Sequence, residues 1–376
     1  MTNLKIFESN QPLLLESGRV LKGIEIAYHT YGRINPKKNN VIWICHAFTA
    51  NSDAAGWWPG MIGQGALFDT DKHFIVCANI LGSCYGSTGP LSVNPDTGKP
   101  WYLNFPALTV RDLVAAHDLL RVHLGIAHIH TLVGGSIGAH QAMEWAIMHP
   151  QISDYLIIIA AGAFYTPWGV AFNESQRLAL QADPTFYNES AEAGQAGLIA
   201  ARSIALISYR THTIYNSSQA EPNCEITSGF RASSYQRYQG EKLARRFHAH
   251  PYYTLLNILD SHNVGRGRGG VEKALASIRA RTLVIGITSD YLFGTHEQVF
   301  MTRFIPGAVY CEIDSPYGHD GFLVEVEKVA KAINEFYSSE KIEKCKIKST
   351  LECSDTDVSD KDFTTCCLAA VDSGAI

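Results

Sequence analysis

"LVGGSIGAHQAMEW" runs from Leu132 to Trp145. A short apolar stretch, Thr131 to Val133, enters Gly134-Gly135-Ser136-Ile137-Gly138 and leaves with helical spacing. This is G-x-S-x-G where a strand becomes a helix, the setting that holds a serine exposed on a strained turn. A nucleophilic serine also needs a base for its proton and amide donors for the oxyanion formed when it attacks a carbonyl. The glycines suit that reading, because neighbouring segments must pass close to the serine backbone and a bulky side chain at Gly134 or Gly138 would clash. The Ile137 amide opens the following helix, where the dipole favours negative charge. A flexible loop would explain the glycines alone, so the serine's partners must decide.

Working outward, further apolar runs recur at Val41–Cys45, Phe74–Leu81, Tyr155–Ala160 and Leu283–Ile287. They are continuous rather than alternating, the pattern of parallel strands covered on both faces. Helical spacing marks Arg111–Leu124, closed by Gly125, then Ile137–His149 before Pro150, and Gly321–Tyr337. Strand–helix alternation predicts an α/β fold, a mostly parallel sheet flanked by helices. From residue 164 to 280 the spacing is helical with few strand candidates, which predicts a helical lid inserted into a core of residues 1–163 and 281–338. The lid closes with "HNVGRGRGG", read as a mobile basic loop. Residues 339–376 lack apolar periodicity and are rich in Ser, Thr, Asp and Lys. They read as a tail outside the core with the composition of a disordered segment, the adjacent Cys366 and Cys367 carrying no catalytic role.

Bulk composition narrows the function. The chain has 376 residues, 46% hydrophobic and 18% charged, with a formal net charge of -5. No basic block points to nucleic acid and no amphipathic basic helix to a membrane surface. There is no apolar run of about 18 residues and no signal-peptide core, so a cytoplasmic protein is expected. The nine cysteines include no CxxC, and Cys45, Cys77 and Cys311 lie in apolar runs, as reduced buried thiols would.

On this fold the serine's partners follow in the order acid, then histidine. "SDYLFG" follows the Leu283 strand and offers Asp290. "SPYGHDGFLVE" follows a short strand at Tyr310–Asp314 and offers His319. Asp290 would hold His319 in the right tautomer and stabilise its imidazolium. Two rivals stand among the 15 histidines. His46, in "CHAFTA", follows an early strand where this fold carries its oxyanion loop, which suits a structural role. There Phe48 is placed to supply the second oxyanion amide. His140 lies one helical turn past Ser136, whereas a base should approach from a separate loop.

The strings "GGSIGAHQAMEW", "NILGSCYGSTGPLSVNPDTGKP", "LDSHNVGRGRGG", "SDYLF" and "DSPYGHDGFLVE" together resemble the homoserine O-acetyltransferase family of α/β-hydrolase-fold enzymes. The resemblance runs from Phe7 to Tyr337. It implies transfer of acetyl from acetyl-coenzyme A to Ser136 and on to the hydroxyl of L-homoserine, in methionine biosynthesis. It also implies a homodimer with a helical lid over a deep site. Carried over, the nucleophile falls on Ser136, the acid on Asp290, the base on His319 and the oxyanion amides on Phe48 and Ile137. Arg202, in "ARSIALISYR", takes the substrate carboxylate, with Arg210 as its rival, and Asp320 faces the substrate amine. Such a pairing is sound for an amino acid held by both ends, guanidinium on carboxylate. No metal and no permanently bound cofactor is required. The chain departs from the family's usual pattern at Ala139-His140, Phe48, Asn263 and the glycine of "LFG", which leaves acyl donor and acceptor open. The alternatives are a serine O-acetyltransferase, a homoserine O-succinyltransferase, and an esterase or thioesterase with the same triad. A non-catalytic binding protein would require a missing triad member, and all three are present.

Overall fold

Continuous apolar runs become the middle of one sheet. In the computed structural model, which describes residues 4–339, the strands of this sheet are β1 (Lys5–Ser9), β2 (Ile24–Gly32), β3 (Val41–Cys45), β4 (Phe74–Ala78), β5 (Ile129–Gly135), β6 (Ser153–Ile159), β7 (Arg281–Ile287) and β8 (Val309–Ile313). Their order across the sheet is β1-β2-β4-β3-β5-β6-β7-β8. From β4 to β8 all neighbours are parallel. β2 runs antiparallel to both β1 and β4. Every residue of β3 is buried, as expected of a strand covered on both faces. The tail from residue 340 on, with Cys366 and Cys367, lies outside the described residues.

Helices supply the cover. α1 (Val110–His123) starts where the Asp112 carboxylate accepts the Thr109 amide at 2.8 Å. It is followed by Gly125 at φ 66°. α2 (Ile137–Met148) leaves β5 directly and is buried along nearly its whole length. On one face of the sheet Trp43 meets Trp145 of α2 edge-on, centroids 5.0 Å apart. On the other, Ile44, Val133 and Ile157 pack in the cluster that contains Phe336. Between β6 and β7 the chain forms α3 (Pro167–Gln181), α4 (Gln195–Tyr209), α5 (His212–Ser218), α6 (Arg231–Ala244) and α7 (Ala249–Asp260). α8 (Thr295–Phe304) and α9 (Val326–Ser338) follow β7 and β8. Among the described residues no helix is long and apolar enough to cross a membrane.

Strand order decides where a site can form. β4 lies on one side of β3 and β5 on the other, so the order in which strands are added reverses at β3 while β3 and β5 stay parallel. Loops leaving their carboxyl ends part there and open a crevice. The loop after β3 carries His46 to Ala50, and the turn after β5 carries Ser136.

Three expectations need correction. Gly321–Tyr337 is not one helix: a short turn, Gly321–Val324, is separated from α9 at Glu325. The Phe322 carbonyl accepts the Trp58 indole N–H at 3.2 Å instead of continuing the helical ladder. The basic loop is tied down by ion pairs. Arg266 grips both carboxylate oxygens of Glu16, at 3.0 and 2.8 Å, and Arg268 pairs with buried Glu144. Arg111 of α1 joins the same two carboxylates. Paired forks of this kind fix a loop in place. Cys45 and Cys77 are free and buried, but Cys311 is only half-buried, because β8 is an edge strand.

Candidate active site

Ser136 sits at φ 58°, ψ -129°, a conformation that costs a non-glycine residue of order 1–3 kcal/mol and persists only where its surroundings enforce it. The enforcement is visible. A Cβ on Gly134 would lie 2.2 Å from the Gly138 carbonyl carbon, and one on Gly138 would lie 2.1 Å from the Cys45 carbonyl oxygen. Only glycine at both places lets β3, the elbow and α2 come this close. The Ser136 amide donates to the Ile159 carbonyl at 3.0 Å, which anchors the turn to β6. Its hydroxyl has no hydrogen-bond partner among the described residues.

The amides of Ile137 and Phe48 have no partner among the described residues. Ile137 is the first residue of α2, where no carbonyl precedes it in the helix. Phe48 is a central residue of a turn closed by the Ala50 amide on the Ala47 carbonyl, 3.0 Å. His46, just before that turn, is fully occupied. One ring nitrogen donates to the Ala47 carbonyl at 2.8 Å, and the other accepts the Ile80 amide at 3.1 Å. Burial holds its pKa down to about 4, so it stays neutral and serves the loop.

Asp290 lies three residues past β7 and is buried. One carboxylate oxygen accepts the amides of Leu292 and Phe293, at 2.9 and 3.0 Å. The other receives His319 Nδ1 at 2.7 Å. His319 stands on a single turn after β8, and the Gly318 amide beside it donates to Ser289 Oγ at 2.9 Å, joining the two loops. Burial alone would lower the imidazole pKa. The charge and hydrogen bond of Asp290, with a further pull from Asp320, outweigh it and hold His319 above its ordinary value. With Nδ1 committed to Asp290, Nε2 is the nitrogen left for a proton from elsewhere.

Phe293 and Tyr209 pack on the His319 ring, with centroids 5.3 and 5.8 Å away. Both also line a small, partly open pocket that includes Ser136. Phe48, Asn173 and Gln176 complete much of its wall, and no lysine or arginine lines it. The two carboxamides are locked: Asn173 donates to Asp260 at 2.7 Å, and Gln176 accepts the Tyr252 hydroxyl at 2.6 Å. Asn173, Gln176, Tyr209 and Tyr252 carry no motif, so reading the chain alone passes over them. Their helical spacing only marks α3, α4 and α7.

The expected substrate residues divide. Asp320 is paired with Arg210, Nε to Oδ2 3.0 Å. Arg202 lies with its guanidinium 5.2 Å from the centre of the Tyr209 ring, one ring away from the pocket. Asp320 makes no side-chain cap to the helix that follows it. His140 stacks on His262 with centroids 4.0 Å apart, its two nitrogens buried without partners among the described residues.

A family model described as the alpha/beta hydrolase fold matches residues 40–326. The homoserine O-acetyltransferase of Cyclobacterium marinum is 44% identical over 333 residues, 89% of this chain and 95% of that protein. Among solved structures, esterase E22 superimposes with a TM-score of 0.83 at 26% identity, over 89% of this chain and 100% of the esterase. The homoserine O-acetyltransferase of Bacillus anthracis reaches 0.84 at 24% identity, over 90% of this chain and 98% of its own, a likeness of fold.

Proposed function

The chain belongs to the homoserine O-acetyltransferase family of the α/β-hydrolase fold, and from that premise we propose that it carries acetyl from acetyl-coenzyme A to the side-chain hydroxyl of L-homoserine, in methionine biosynthesis. His319 Nε2 takes the Ser136 proton as Oγ attacks the thioester carbonyl. The oxyanion rests on the amides of Phe48 and Ile137. The thioester bond breaks, coenzyme A leaves with a proton, and acetyl-Ser136 remains. His319 then deprotonates the homoserine hydroxyl, which attacks the ester and releases Ser136. Arg202 takes the acceptor carboxylate once the lid admits it, and Asp320, shared with Arg210, takes the ammonium.

The observation that carries this reading is Ser136, held on a strained turn in a small pocket shared with the rings that pack on the Asp290-bound His319. The pocket walls hold no lysine or arginine, so the carboxylate of a succinyl donor would be left unpaired there. A bound acceptor gains an effective molarity of about 10⁵ M or more from orientation, which can outweigh competing water. The likeness to an esterase makes hydrolysis the rival outcome. The protein works in the cytoplasm as a homodimer, with the exposed Ile207, Phe230 and Tyr238 of the lid as apolar surface for its partner.

The proton balance of His319 gives a test. It must be neutral to act as base, and Asp290 holds its pKa above the ordinary value of about 6.5. The kcat/KM for acetyl transfer is therefore expected to fall tenfold per pH unit on the acid side, through a midpoint above 6.5. A profile flat from pH 5 to 8 contradicts the role given to His319.

A further inference from the structure

We infer that Arg246, at the junction of α6 and α7 in the lid, is a positioning residue that sets the oxyanion loop. The inference rests on the proposed role of the Phe48 amide. The loop after β3 is a single turn, Ala47 to Ala50, with Phe48 and Thr49 at its centre. Its closing bond uses the Ala47 carbonyl and the Ala50 amide. The Thr49 carbonyl points away from the turn, and Arg246 Nη1 donates to it at 2.6 Å. The same Nη1 donates to the Tyr85 hydroxyl, and the Cys84 thiol approaches the Arg246 carbonyl at 3.9 Å. Arg246 is in no ion pair within 4.0 Å among the described residues, so no carboxylate draws it from this carbonyl.

A second tie runs from the same turn to the same part of the lid. The Phe48 ring meets Tyr252 of α7 edge-on, centroids 4.9 Å apart. Tyr252 in turn meets Phe247 at 6.0 Å, and Phe247 meets Tyr85 at 5.6 Å. The circuit closes on itself: Phe48, Tyr252, Phe247, Tyr85, Arg246 and Thr49. Both central residues of the turn are thus held by the lid, one through its ring and one through its carbonyl. The Phe48 amide between them has no partner among the described residues. A donor aimed in advance at the developing oxyanion is worth far more than one that must be oriented during reaction. Lid and oxyanion hole therefore assemble together.

The oxyanion forms in both half-reactions, so the two must respond alike. In Arg246→Gln, release of coenzyme A during acylation and transfer to homoserine should both slow by about tenfold, because small misplacements of reacting groups cost factors of 10 to 10². KM for homoserine and the melting temperature should stay at parent values. Arg246→Lys, which keeps a donor, should recover part of the rate and serves as second variant if the glutamine form fails to fold. Arg245→Gln, one residue away with only a 3.9 Å contact to Glu241, controls for loss of positive charge and should behave as the parent. Parent-like rates in Arg246→Gln overturn the inference, and so does a loss confined to the KM of one substrate. Acid-quenched parent enzyme, analysed by peptide mass, separates this failure from a deeper one. Absence of acetyl on Ser136 there overturns the reading of the site itself.

Discussion

Ser136→Ala is expected to leave a folded protein that transfers no measurable acetyl. The residue's positive φ is imposed by the close passage of Gly134, Gly138 and Cys45, and alanine meets the same strain as serine there. Its hydroxyl makes no structural hydrogen bond among the described residues, so removing it costs the fold little. On the proposed mechanism the reaction loses its only covalent carrier, and losses of about 10⁶ in kcat accompany removal of a serine nucleophile from a triad. Circular dichroism and thermal melting of the variant should match the parent. Transfer retained within about a hundredfold would mean that acyl groups bypass Ser136.

The second large effect is on stability in acid. Burial holds His46 and His117 down to about 4 and His262 to about 3, and places His140 well below its ordinary value. All four are neutral in the fold, while in the unfolded chain they take protons below about pH 6.5. The unfolded state then binds more protons, so stability is complete above about 6.5 and is lost as pH falls toward 4. His319, held above its ordinary value by Asp290, opposes them, and so does Glu297. Burial, helped by the charge of Asp290, pushes Glu297 up to about 8, so it is protonated in the fold and gains stability as pH falls from 8 toward its unfolded value. His29, His73, His130 and His250 are also held below their ordinary value by burial and add to the four, so the balance is a net loss of stability between pH 7.5 and pH 5. Urea titrations at the two pH values should show the midpoint falling steeply. An unchanged midpoint would mean these rings are solvated.

What was legible in the chain was mostly local. Gly134-Gly135-Ser136-Ile137-Gly138 announces its turn because the glycines that permit it lie within two residues of the serine. Val41–Cys45 and Leu283–Ile287 announce buried strands because no polar residue interrupts them. The first two strands escape notice because they lie toward the edge of the sheet, where β2 alternates Ile24, Glu25 and Ile26 in a way that short loops also show. The longer failures come from partners distant in sequence. Nothing in Gly321–Tyr337 says that the indole of Trp58 will take the Phe322 carbonyl. Nothing in "GRGRGG" says that Glu16 and Glu144 will hold its arginines. The pairing of Asp320 with Arg210, and of Arg246 with Thr49, depends equally on how the lid lies over the core.

The measurement that bears most directly on the account is release of free thiol from acetyl- and from succinyl-coenzyme A, each with L-homoserine, with L-serine and with no acceptor. Release that depends on homoserine, with little from serine or from succinyl-coenzyme A, is the predicted result. Equal release with no acceptor would contradict it, because water would then take the acyl group from Ser136 and the protein would be a thioesterase.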